Sequence, residues 1–280
     1  MTTIDVPGAA VTGVTGINKT GDLVGDYGQS TSGPISGFLY SSGTFTYFDY
    51  PGESVTVPEG INDSNLIVGY ATQLPGKSDI VLGFIYDGAT FTTLQDGTNT
   101  ATYAWGINNV GTVVGGAGDI YATKGFEMVG GHYRTINFPG LYDYAYGNGI
   151  NNHGEVVGSE LEGIYEYGFV EKNGKFRPVQ FPGDNFDTLA LGINDKGMVV
   201  GAYNTGTAYT YAFATVSGKY VSFAYPGAKG TSASGVNASG QVVGTYTFDY
   251  QSYHGFVTSP ITTADFEGAG CCQVAVVDGR

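Results

Sequence analysis

Carboxylates and aromatic rings gather at four places in this chain: Tyr142-Asp143-Tyr144, Glu160 with Glu162, Tyr165 and Glu166, Asp184 with Phe186 and Asp187, and Phe248-Asp249-Tyr250 with Tyr253. Ring faces stack on the C–H surfaces of a sugar, and carboxylates accept hydrogen bonds from its hydroxyls. The ligand-site candidates are therefore Tyr142, Asp143, Tyr144, Glu160, Tyr165, Glu166, Asp184, Phe186, Asp187, Asp249 and Tyr250. The competing reading is that the tyrosines fill interfaces and the acids solvate loops. Two acids about 5–10 Å apart could also run glycoside hydrolysis, but with this many acids some such pair arises by chance. Asp184-Asn185-Phe186-Asp187 offers oxygen ligands, so calcium stays open although no Asp-X-Asp-X-Asp-Gly loop is present.

Other catalytic patterns are missing. His132, His153 and His254 are scattered, which argues against a histidine-rich metal site. There is no Gly-X-Ser-X-Gly elbow and no phosphate loop. Cys271 and Cys272 are adjacent and form no disulfide framework; intermolecular pairing and two free thiols are equally open. Trp105, the single tryptophan, could floor a central pocket, but a core position is the expectation. No catalytic residue and no cofactor is assigned.

The elements that would hold these loops come from an internal repeat. Gly-Ile/Val-Asn begins at Gly16, Gly60, Gly106, Gly149, Gly192 and Gly235, at intervals of 43 to 46 residues. Each copy leads through a turn to an apolar pair and a glycine, as in Val156-Val157-Gly158. A Gly/Ala-Phe pair then recurs at Phe38, Phe84, Phe126, Phe169, Phe213 and Phe256. Asn and Gly tolerate the positive φ of tight hairpins, so each unit reads as four short antiparallel strands. Six such units predict an all-β, six-bladed β-propeller. The small residues of the first strand place it nearest the axis, and the recurring Phe between blades. The equivalent Asn18, Asn62, Asn108, Asn151, Asn194 and Asn237 should bond turn backbone. Repetition also filters sites: a residue present in every unit is scaffold, because a single-ligand site needs asymmetry.

The Gly-Ile-Asn, Val-Val-Gly and X-Gly/Ala-Phe elements resemble the bacterial extracellular repeat family named for its His-Ala-Phe motif. His254-Gly255-Phe256 and Tyr211-Ala212-Phe213 come closest to that tripeptide. The resemblance covers residues 1–268 and implies export. It supplies no catalytic residues.

The chain ends count unevenly. Thr3-Ile4-Asp5-Val6-Pro7-Gly8 matches Tyr47-Phe48-Asp49-Tyr50-Pro51-Gly52, and Asp265-Phe266-Glu267-Gly268 matches the same stretch. There are thus seven candidate fourth strands for six units. The expectation is that the N-terminal strand closes the last blade, giving a propeller over 1–268 and a tail over 269–280. The alternative is strand donation to another molecule, building a homo-oligomer or polymer.

Composition sets the outer limits. With 41% hydrophobic residues the chain can bury a core, and 47 glycines suit many turns. A net charge of −14 disfavours nucleic acid and anionic membrane surfaces. No apolar run is long enough to span a bilayer as a helix, and no signal peptide precedes the first strand motif. The sequence therefore reads as an exported, non-catalytic propeller that binds a carbohydrate or surface partner through its loop-rich face. A self-assembling structural protein and a carbohydrate-active hydrolase or lyase are the alternatives.

Overall fold

The computed structural model describes residues 1–77, 80–95, 97, 100–119, 122–136, 145–162, 165–183, 187–262 and 276–277. Among these residues all regular structure is β-strand. Each repeat folds as an antiparallel meander. The fourth unit, for example, runs Ala145–Ile150, Val156–Glu162, Tyr165–Lys172 and Lys175–Val179. Asn173, in the turn before the last of these strands, takes φ 54°, the left-handed conformation that hairpin demands.

Consecutive units are joined by single parallel pairs, such as Ile35 with Val55 and Tyr167 with Thr188. The ladders merge in this way into sheets of 13 and 12 strands. The first strands of the units (Val11–Ile17, Val55–Ile61, Ala101–Ile107, Ala145–Ile150, Thr188–Ile193 and Gly230–Val236) lie side by side. Each contacts the next, and the last contacts the first. We call these the inner strands.

Burial follows the repeat. Phe38, Phe84, Phe126, Phe169, Phe213 and Phe256 are at most 2% exposed, which fixes them as the core column. Each phenylalanine lies opposite the glycine of an apolar-apolar-Gly segment, as Gly158 opposite Phe169 and Gly201 opposite Phe213. Clusters of Val, Ala, Met and Phe then join neighbouring units: Val157 and Val170 of the fourth unit pack with Val199 and Phe213 of the fifth. Burying one such ring contributes roughly 1.5–3 kcal/mol.

The turn asparagines do more than the sequence suggested. Asn151 Oδ1 accepts from the backbone N–H of His153 and Glu155, which is the expected turn bonding. Its Nδ2 also donates to the carbonyl of Asn194 in the next unit at 3.1 Å. The same link joins Asn62 to Asn108, Asn108 to Asn151, Asn194 to Asn237 and Asn237 to Asn18. Asn18 differs and donates to Asn65 Oδ1 at 2.7 Å.

The N-terminal strand Thr2–Ile4 pairs antiparallel with Gly255–Val257 in the same molecule. Far along the chain, Val276–Val277 pairs with Tyr220–Val221, on the outer strand of the fifth unit.

Candidate functional site

Every inner strand slips register by one residue against its neighbour. The slips fall between Val14 and Gly16, Pro58 and Gly60, Ala104 and Gly106, Gly147 and Gly149, Ala190 and Gly192, and Ala233 and Gly235. The skipped residues are Thr15, Glu59, Trp105, Asn148, Leu191 and Ser234. A bulge re-aims the side chain it carries. Here all six point to a common space, since together they line one cavity of about 200 Å³. Their neighbours Gly, Ile/Val and Asn repeat, yet these six are all different. The repeat is the scaffold and the bulge column is where it departs from symmetry.

The space extends both ways. On the asparagine-turn side is a polar cavity of about 130 Å³ lined by the Gly-Ile/Val-Asn segments. On the opposite side, below the longer loops, is a cavity of about 660 Å³ between the first two units. Thr15 and Glu59 line all three. Asp26 and Tyr70 join them in the largest, with Val11, Val55 and Val57 among its apolar walls. Asp26 pairs with Gly13 of the inner strand, and a Cβ on Gly13 would sit 2.9 Å from Asp26 Oδ1. The missing side chain at Gly13 is what lets the carboxylate lean in.

An aromatic arc runs along one side. Tyr70 meets Tyr103 edge-on at 5.0 Å, Tyr103 stacks on Trp105 at 5.4 Å, and Trp105 meets Tyr146 edge-on at 5.7 Å. Trp105 is thus half-buried on the cavity wall rather than in the core.

Electrostatics single out the two acids. Burial pushes the Asp26 carboxyl up to about 7. Burial, and then the charge of Asp26, pushes Glu59 up to about 8. The Tyr70 phenol is raised by burial first and then by Glu59 and Asp26, which places all three groups in one field. Low local dielectric disfavours each charged form, and like charges add to the effect.

The loop residues picked from sequence divide into three sets. Tyr142, Asp143, Tyr144, Asp184 and Phe186 lie outside the described residues. Glu166 and Asp187 are brought together: the Glu166 N–H donates to Asp187 Oδ1 at 3.0 Å, and burial followed by Asp187 raises the Glu166 carboxyl. Asp187 also accepts from Asn204 Nδ2 at 3.1 Å. Glu160 and Tyr165 stand on the adjoining strands of that unit, Glu160 facing Tyr167 and Tyr165 facing Glu162 across the ladder. Asp249 and Tyr250 sit elsewhere, in a turn they hold themselves. Asp249 accepts from the N–H groups of Gln251 and Ser252, both at 2.8 Å, and these bonds hold its carboxyl down at about 2. Tyr250 takes φ 62°, with its hydroxyl against the carbonyls of Ala208 and Lys229.

Sequence reasoning missed Glu59 and Asp26. The departure from symmetry seen in the loops is also present within the inner strands. The column just before Gly-Ile/Val-Asn carried the signal. Among the described residues no group of three or more His, Cys, Asp or Glu side chains could hold a metal ion.

The inner strands and their four-strand meanders define an all-β protein of the propeller-like class. Solved structures of that kind resemble it in fold. The Aleuria aurantia lectin, in complex with Fucα1-6GlcNAc, matches with a TM-score of 0.52 at 11% identity, covering 95% of this chain and 94% of the lectin. A gluconolactonase from Xanthomonas campestris matches with a TM-score of 0.51 at 12% identity, covering 89% of this chain and 87% of the enzyme. No protein-family model and no curated protein matches the chain.

Proposed function

We propose that this chain is an exported six-bladed propeller that binds carbohydrate, without turning it over, in the cavity at its axis. The observation that carries this reading is the bulge column. Thr15, Glu59, Trp105, Asn148, Leu191 and Ser234 converge on one space and are six different residue types. Such a set offers a ring face, a carboxylate, the Ser234 hydroxyl and, as acceptors, the Asn148 amide oxygen and the Thr15 hydroxyl oxygen, whose donors are held by the Ala190 and Pro58 carbonyls. Aromatic stacking plus hydroxyl-accepting groups is the pattern a sugar requires. The acidic loops around Glu166 and Asp187 serve as a rim. Export rests on the resemblance to the His-Ala-Phe repeats, and closure of the six units rests on the N-terminal strand being engaged within its own molecule.

Trp105 is the only tryptophan, so its emission reports on the cavity directly. Titration with a panel of neutral and charged oligosaccharides should shift that emission saturably for at least one member. Asn148→Ala should weaken the same ligand about tenfold, the cost of an unmade buried hydrogen bond. A panel that leaves the emission unchanged throughout would remove the reading.

A further inference from the structure

We propose that the ligand of the axial cavity carries an organic ammonium group, so that the sugar taken is an amino sugar with a free amine. The inference deepens the carbohydrate reading and rests on it for the sugar, but not for the ammonium. Asp26 and Glu59 face one cavity of about 660 Å³ whose lining, among the described residues, contains no Lys, Arg or His. The cavity lined by the six bulge residues contains none either, and in the polar cavity on the asparagine-turn side, which Glu59 also lines, the one ammonium among the described residues, Lys19, pairs with Asp63 at 3.6 Å. Among the described residues neither carboxylate has an ion pair. Two acids in a largely apolar pocket carry a standing cost when ionised, and the usual remedy is a cation within a few ångströms. Among the described residues no cation pairs with either acid, so the place of the counterion is left to the ligand.

The aromatic arc decides what kind of cation fits. Tyr70 and Trp105 flank the same space as the carboxylates, and Tyr103 bridges them. Ring faces attract an alkylammonium by its charge and by contact with its carbon frame. A hard metal ion instead asks for six or more oxygen ligands, for which these rings are no substitute. The net charge of −14 draws cations towards the molecule at long range. Binding would also move protons. With both carboxyls raised towards neutrality by burial, an arriving ammonium favours their ionised forms, and the displaced protons go to buffer.

The test uses the whole chain at about pH 7, where both the acids and a sugar amine titrate. The probes are a β-1,4-linked glucosamine tetramer, its fully N-acetylated counterpart, tetramethylammonium and Ca²⁺. Readouts are Trp105 emission and titration calorimetry in two buffers of different ionisation heat. The free-amine tetramer should bind at least about tenfold tighter than the acetylated one, its amine taking up protons that the carboxyls give, while tetramethylammonium, which carries no titratable proton, should bind with net proton release. Glu59→Gln, which keeps the shape and removes the charge, should abolish that preference; Asp26→Asn gives the same reading if the first variant melts early. Equal or preferred binding of the acetylated tetramer overturns the ammonium proposal and leaves the carbohydrate reading standing. Binding of tetramethylammonium with neither tetramer supports the ammonium and overturns the sugar. Binding of Ca²⁺ alone overturns the ammonium, and silence from every probe overturns both.

Discussion

A single carboxylate in a bulge shows how residue type and position combine. Glu59 differs from its five equivalents only in side chain, yet it is the one that brings a second charge beside Asp26. Its effect on folding follows from the sign of its shift. A carboxyl raised in the folded state holds its proton over a range where the unfolded chain has lost it. Stability is then full below the ordinary carboxylate pKa of about 4.3 and falls as pH climbs through the folded value. For Asp26 and Glu59 the window runs from about 4 to about 7 and about 8 respectively. The melting temperature of the chain should therefore drop between these limits. Glu59→Gln should flatten much of that drop, worth about 1–3 kcal/mol for a half-buried group. Melting curves across the window check this; a slope identical in the two proteins would place the acids in water. The core column belongs to the same scale. Phe169 is 1% exposed, so Phe169→Ala should cost about 3–5 kcal/mol in urea unfolding. Phe169 was legible in the sequence because its column repeats six times. Glu59 was not, because one acid among hydroxyls, an amide and apolar residues carries no periodicity.

The inner strand is an element whose two halves obey different rules. In the inner strand Val55–Ile61 alternate residues before the bulge are buried: Thr56 and Pro58 are buried, while Val55, Val57 and Glu59 are half-buried at the cavity. After it the phase shifts, and Ile61 and Asn62 are both buried. Such a break in a period of two is the mark of an extra residue on one strand. What the sequence did not show is how closely the bulge presses on its partner. A Cβ on Gly201 would lie 1.8 Å from the carbonyl oxygen of Leu189 and 2.9 Å from a ring carbon of Phe213. The five equivalent glycines, Gly25, Gly69, Gly115, Gly158 and Gly244, face the same carbonyl contact at 1.8 to 2.1 Å. The glycine is thus fixed by the approach of another backbone. Gly201→Ala should cost about 3 kcal/mol, at the upper end for overpacking, since a strand carbonyl cannot swing aside as a side chain can. Urea unfolding of this variant beside wild type tests the point, and a loss below about 1 kcal/mol would mean that the bulge can open.

At the scale of the molecule the question is what ties the last unit to the first. Counting repeats gave six first, second and third strands but seven candidates for the fourth, so pattern alone could not choose between the two chain ends. The choice depends on which edge a strand meets, and sequence does not encode that locally. The N-terminal strand occupies the edge of Gly255–Val257, and side chains reinforce it. Asp5 Oδ2 lies 2.8 Å from His254 Nδ1, and Thr3 Oγ1 lies 3.0 Å from the Tyr246 hydroxyl. Ile4 and Val6 are 8% and 4% exposed and pack with Val14, Ile17 and Phe38 of the first unit. One short segment therefore touches both the last unit and the first. Removing residues 1–8 should withdraw that apolar burial, about 3–6 kcal/mol for two side chains, and expose a strand edge. The expected result is a melting temperature lower by at least about 10 °C, with concentration-dependent association through the bared edge. A synthetic peptide of residues 1–8 added in excess should restore part of the loss, because it binds only the folded form. The competing arrangement, donation of this strand to a second copy, predicts the reverse: the truncated chain would melt as wild type does, and assembly would disappear. Light scattering and melting curves on one concentration series separate the two.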